Sequence, residues 1–93
     1  MTDRQVHITL IEAPKGCPKC EECLRMVGRL EARWPGRIEF TTLPADSPEA
    51  GDFGVIMPPM LLVEGFVAAA GKVPLESGLV KLVARELGEE PPQ

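Results

Sequence analysis

Apolar and polar positions first alternate along the chain. In "QVHITLIE", residues 5–12, Val6, Ile8 and Leu10 occupy every second position and Ile11 closes the run, which is the period of a strand. "APKG" interrupts it. From Pro18 to Arg33 the period lengthens: Cys20, Cys23, Leu24, Val27, Leu30 and Trp34 recur at spacings of three and four, predicting one apolar face of a helix. "WPG" ends that helix, with Gly36 available for a left-handed cap. Ile38, Phe40 and Thr42 in "RIEFTTL", residues 37–43, restore the strand period. In "PADSPEAGDFG", Ser47 and Pro48 can start one short helical turn, and the glycines keep it short. "MLLVEGFVAAA" is two apolar runs joined at Glu64-Gly65, a hairpin. Leu75, Leu79, Leu82, Val83 and Leu87 mark a last helix from about Pro74 to Leu87, with Gly78 weakening its first turns by roughly 1 kcal/mol against alanine. "GEEPPQ" closes the sequence as a tail expected to fray from about residue 88 to 93.

The predicted order is β-α-β followed by β-β-α. A helical crossover makes the first two strands parallel, and the hairpin adds an antiparallel edge. The expectation is an α/β fold with a four-stranded mixed sheet flanked by helices, its last helix packed back to bury the leucines. With 93 residues, residues 1–93 are expected to form a single domain. Such a domain buries about 60–65% of its unfolded surface.

Composition narrows the classes of function. The chain is 44% hydrophobic and 26% charged, ordinary for a globular protein. Its net charge is -4 and no run of like charge exceeds two residues, which weighs against nucleic acid as a partner. No apolar stretch is long enough to cross a membrane. "MTDRQVHITLIEA" lacks the basic-then-apolar pattern of a signal peptide. A reducing cytoplasm is the expected setting, where closely spaced cysteines serve catalysis or metal binding more often than they staple a fold.

All three cysteines lie in "KGCPKCEEC": Cys17, Cys20 and Cys23. Residues three apart at the start of a helix share a side, so Cys17 and Cys20 can close a small disulfide ring. Cys17 and Cys23 are about 9 Å apart along a helix axis and cannot bond without unwinding it. At the helix N-terminus, Cys17 faces free N–H groups and the positive dipole end, and Lys15 and Lys19 add positive charge; such settings lower a thiol pKa. Pro18 at the first helical position costs no hydrogen bond and stiffens the ring. Cys20 lies a turn deeper, where burial disfavours the charged form. Cys17 is therefore the expected nucleophile and Cys20 the resolving thiol. Glu21 and Glu22 are expected to point to solvent. Cys23 falls on the buried face as a small apolar residue, or as a second partner for Cys20 under oxidation.

Other uses of the thiols remain open. The C-x2-C-x2-C spacing also starts an iron–sulfur run, but the fourth ligand position is Val27. Tetrahedral zinc needs four ligands, and His7 is the only histidine. A metal-binding or metal-delivering module and a purely structural cluster stay as alternatives. His7 reads as an ordinary strand residue and Trp34 as core.

"CPKC" after the first strand and "GVIMPPMLLVEG" before the hairpin together resemble the thioredoxin-like proteins, in particular the small, glutaredoxin-sized thioredoxins known as redox-active disulfide proteins. The resemblance covers about residues 5–87. It implies thiol–disulfide exchange, electron transport and redox homeostasis, with no cofactor and no metal. Its partners would be a disulfide-bearing protein and a reductase that restores the dithiol, not nucleic acid or a membrane. It also implies that Pro59 is a cis proline facing the disulfide, with Met57, Pro58 and Met60 forming an apolar substrate rim. In the family the residue before that proline pairs with substrate through its backbone; Pro58 has only a carbonyl to offer. The motif is CPKC where standard thioredoxins carry CGPC, and no tryptophan precedes it. Ile11 and Glu12 stand near the place of the family's buried aspartate, so Glu12 is a candidate proton shuttle for Cys20. "AAAGKVPLES" lacks the glycine pair and aspartate with which glutaredoxins hold glutathione. A thioredoxin-fold scaffold without turnover is a further alternative.

Overall fold

A computed structural model of the chain describes residues 5–13, 18–52, 54 and 57–88. In chain order the elements are β1 (Val6–Glu12), α1 (Pro18–Arg33), β2 (Ile38–Pro44), α2 (Pro48–Gly51), β3 (Met60–Val63), β4 (Phe66–Ala70) and α3 (Glu76–Leu87). The four strands form one mixed sheet in the order β2-β1-β3-β4. β1 runs parallel to β2 from the pair Val6–Ile38 to the pair Glu12–Pro44, as the α1 crossover requires. β3 is antiparallel to β1, with Ile11 opposite Met60, and β4 is antiparallel to β3 with a register shift between Leu61 and Leu62.

Strand alternation sorts the interior into two parts. Val6, Ile8 and Leu10 of β1, with Leu61 and Val63 of β3, face α1 and α3; there they meet Cys23, Val27, Leu30, Leu79 and Val83. Ile11, Met60 and Leu62 face the other way and pack with Ala50 of α2. The architecture is thus three layers, with α1 and α3 on one side of the sheet and the single turn of α2 on the other. Ser47 caps that turn: its Oγ accepts from Ala50 N–H at 3.2 Å and donates to the Pro44 carbonyl at 2.7 Å. Gly36, after α1, takes the left-handed conformation that a side chain would disfavour. Among the described residues no helix is long and apolar enough to cross a membrane.

Two helix faces differ from their sequence-based expectation. Leu24 is 38% exposed, and Met26 is buried in its place. The buried stripe of α1 runs through Cys20, Cys23, Val27, Leu30 and Trp34. At about 100° per residue, Met26 falls nearer the middle of that stripe than Leu24 does. In the last helix, α3 begins at Glu76, and Leu75 is its extended N-cap residue. Leu75 therefore leaves the helical face and is 80% exposed, while Val80 and Ala84 are buried beside Leu79, Val83 and Leu87. Leu82 is only half-buried. The tail from residue 89 onward lies outside the described residues.

Candidate functional site

The topology gathers the C-terminal end of β1, the N-terminal ends of α1 and β3, and the last residue of β4 at one end of the sheet. Pro18 is the first residue of α1, where its missing N–H leaves no hydrogen bond unmade and its fixed backbone angle suits the helix. Cys20, two residues on, is 4% exposed and lies on the buried side of the helix. Cys23, one turn deeper, is fully buried in the interior shared with α3. Cys17 and Lys15, to which the sequence assigns the nucleophile and part of its electrostatic tuning, lie outside the described residues.

The loop opposite is tied down. The Pro58–Pro59 peptide bond is cis. Pro59 is buried and Pro58 half-buried, while Met57 is 53% exposed. Gly71, just beyond β4, donates its N–H to both the Met57 and Pro59 carbonyls at 2.8 Å. It does so in the left-handed region, at φ 74°, which favours glycine. Lys19 reaches across and places Nζ 3.4 Å from the Gly71 carbonyl. One residue thus holds the proline loop through its N–H and the start of α1 through its carbonyl. Sequence reading missed Gly71; the signal available was a glycine directly after the alanine run of β4.

Met60 does not belong to a substrate rim. It is 3% exposed, pairs with Ile11 and Ala70, and packs with Ile11, Ala50 and Leu62. The strand begins at this residue, so its side chain turns into the interior behind α2. Of the expected rim, Met57 and Pro58 remain at the surface of the loop. Glu12, the candidate proton shuttle, is half-buried at the end of β1, and its carbonyl accepts from Ala45 N–H at 2.8 Å.

One carboxylate near the helix start is paired on the helix's own surface. Glu21 is exposed. Glu22 is half-buried and takes a 2.7 Å bond from Arg25, whose hydrogen bond and charge hold the carboxyl below its ordinary range. Farther along α1, Arg29 binds Glu76 of α3 with 2.7 and 2.9 Å contacts. That hydrogen bond lowers the carboxyl's pKa and raises the guanidinium's. His7 sits at the opposite end of β1, with Nε2 3.0 Å from Thr41 Oγ1 and its backbone N–H on the Glu64 carboxylate at 2.7 Å. It lies a strand's length, about 17 Å at 3.3 Å per residue, from Glu12, and so it is a strand residue at the far end of β1 from the proline loop.

Residues 5–84 match the family model described as a thioredoxin domain. The chain belongs to the thioredoxin domain family. Solved structures agree on the fold of this thioredoxin domain. A malarial protein is 20% identical, with a TM-score of 0.69 over 90% of this chain and 99% of its own. The oxidised thioredoxin of Plasmodium falciparum is 14% identical, with a TM-score of 0.61 over 88% of this chain and 81% of that one. A protein of unknown function from Staphylococcus aureus is 12% identical, with a TM-score of 0.62 over 94% and 95%. No curated protein matches the chain.

Proposed function

We propose that this thioredoxin domain reduces protein disulfides through Cys17 and Cys20. The Cys17 thiolate attacks one sulfur of a substrate disulfide, forming a mixed disulfide and releasing the other sulfur as a thiolate. Cys20 then loses its proton and attacks the Cys17 sulfur. The substrate's second thiol departs, and the two electrons gained by the substrate leave the Cys17–Cys20 pair as a disulfide. A reductase in a reducing cytoplasm restores the dithiol.

The observation that carries this reading is the seat of Cys20. It is 4% exposed, in the first turn of a helix that starts at Pro18, and the C-x-x-C spacing sets Cys17 immediately before that proline. A sheltered second thiol suits resolution, because outside disulfides cannot reach it before the first thiol has reacted. Met57 and the Pro58 carbonyl offer the neighbouring apolar and polar contacts for a substrate segment.

The test is reduction of a protein disulfide such as that of insulin by single variants. Cys17→Ser should abolish turnover, and Cys20→Ser should accumulate a mixed disulfide visible by intact mass. Retained turnover in Cys17→Ser would remove the proposed nucleophile. Stoichiometric zinc or iron in anaerobically purified protein, bound through Cys17 and Cys20, would favour metal delivery instead.

A further inference from the structure

Disulfide reduction by Cys17 and Cys20 leaves Cys23 unused. Cys23 has no exposed surface and sits in the interior with Val27, Leu30 and Leu79. An alanine or a valine would fill such a place as well as a small apolar thiol does. What cysteine adds there is a sulfur, and the next sulfur along the buried side of the helix is that of Cys20.

Cys20 and Cys23 are both thiols, and they head the buried residues of α1. Three residues of helix rise about 4.5 Å and turn about 300°, which sets the two α-carbons about 5 Å apart. Disulfides span roughly 4.4–6.8 Å between α-carbons. Both cysteines lie within the first two turns of a helix that starts at Pro18. The backbone is lightly held there, because the first N–H groups of a helix find no helical carbonyl and proline brings none. The start of α1 can therefore take up the adjustment that a disulfide asks, while Cys23 stays seated in the interior. The spacing of the motif repeats the same three-residue step, so Cys20 stands between Cys17 and Cys23 in the chain.

We propose that Cys23 is a third redox thiol, which displaces Cys17 from the Cys17–Cys20 disulfide and stores the oxidation as a buried Cys20–Cys23 disulfide. The inference rests on the dithiol reading of the site and adds one state to it. The Cys23 proton passes to solvent and the Cys23 sulfur attacks that of Cys20. The Cys20–Cys23 bond forms, the Cys17–Cys20 bond breaks, and Cys17 leaves as a thiolate. No electrons enter or leave the chain, so the exchange needs no further oxidant. It competes with re-reduction only while the Cys17–Cys20 disulfide persists, that is, when the reductase falls behind. In the new state Cys17 attacks a substrate disulfide as before, but Cys20 is no longer available to release it. Substrate is then held as a mixed disulfide, and the rearrangement acts as a brake on turnover under oxidising load. Attack by Cys17 on Cys20 reverses it.

Thiol mapping tests the proposal. Cys17→Ser, oxidised with diamide at micromolar concentration, should stay monomeric, lose two hydrogens by intact mass and take up no N-ethylmaleimide after denaturation. Cleavage after Glu21 or Glu22 should leave the flanking peptides joined until a reductant is added. Oxidised parent, kept native with N-ethylmaleimide, should gain one label per chain over time, and the label should map to Cys17. Label on Cys23 instead overturns the proposal. So does a Cys17→Ser chain that keeps two alkylatable thiols or forms only disulfides between chains. If Cys17→Ser fails to fold by circular dichroism, the labelling of the parent decides. Insulin reduction by Cys17→Ser at the parent's rate would remove the dithiol reading and this inference together. An inactive Cys17→Ser that forms no Cys20–Cys23 disulfide would remove this inference alone.

Discussion

Leu61 and Leu62 are neighbours on β3, both shielded from water, and they enter two different interiors. Leu61 meets side chains from two long helices, α1 and α3. Leu62 meets Ile11, Met60 and Ala50, beneath a helix of only four residues. Equal burial does not mean equal confinement. A cavity on the first side is held open by two helices that cannot easily approach each other. On the second side a short turn and its flanking loop can settle toward the sheet. The difference locates rigidity on the α1/α3 side, where Cys20 and Cys23 are carried, and freedom to adjust on the α2 side.

The largest effect is expected from Leu61→Ala, at about 4 kcal/mol by urea unfolding, against about 3 kcal/mol for Leu62→Ala. Equal losses would break the comparison. Cys23→Ser comes next. It places a hydroxyl in the fully buried interior beside α3 and should cost about 2 kcal/mol while leaving disulfide reduction intact. A loss of turnover as severe as that of Cys17→Ser would make Cys23 part of the chemistry. Ser47→Ala removes the α2 cap and its bond to Pro44, with an expected cost of about 1 kcal/mol. A larger loss than that of Cys23→Ser would show that α2 is no loose cover.

The smallest effect belongs to the Arg29–Glu76 pair on the exposed surface of α1 and α3. Its hydrogen bond depresses the Glu76 pKa in the folded chain. Its contribution is then complete above the unfolded carboxylate value, about 4.3, and is lost as pH falls through the lower folded value. The urea midpoints of the parent and Glu76→Gln should differ slightly at neutral pH and converge in acid. A gap that widens in acid would contradict this pairing.

The same contrast explains what the sequence made legible. Both ends of α1 could be read: Pro18 is a natural first helical residue, and Trp34-Pro35-Gly36 provides a natural stop. β1 and β2 followed from alternation, while β3 and β4 followed from two apolar runs joined at the Glu64-Gly65 turn. Errors arose where composition alone had to choose a direction. Leu24 and Met26 are both apolar, and only the helical phase of their neighbours separates them. Leu75 is as apolar as Leu79, but extended backbone at the helix entry sends it outward. In "MLLV" all four residues are buried, so no polar alternation distinguishes the two faces or marks Met60 as interior. At the site, C-x-x-C and Pro58-Pro59 could be found as motifs. The tie through Gly71 could not, because it joins residues brought together only by the sheet.

The central place of β1 also governs how the molecule comes into being. During synthesis β1 is made well before β3, yet Ile8 finds its neighbour Val63 only after α1, β2 and α2 have been added. Until then one side of β1 exposes unpaired amides and carbonyls. Pairing with β2 covers only its other flank. Closing that long loop carries an entropic cost before the contacts it permits can compensate. The rate at which this chain folds should therefore depend on the arrival of β3 more than on the formation of either long helix.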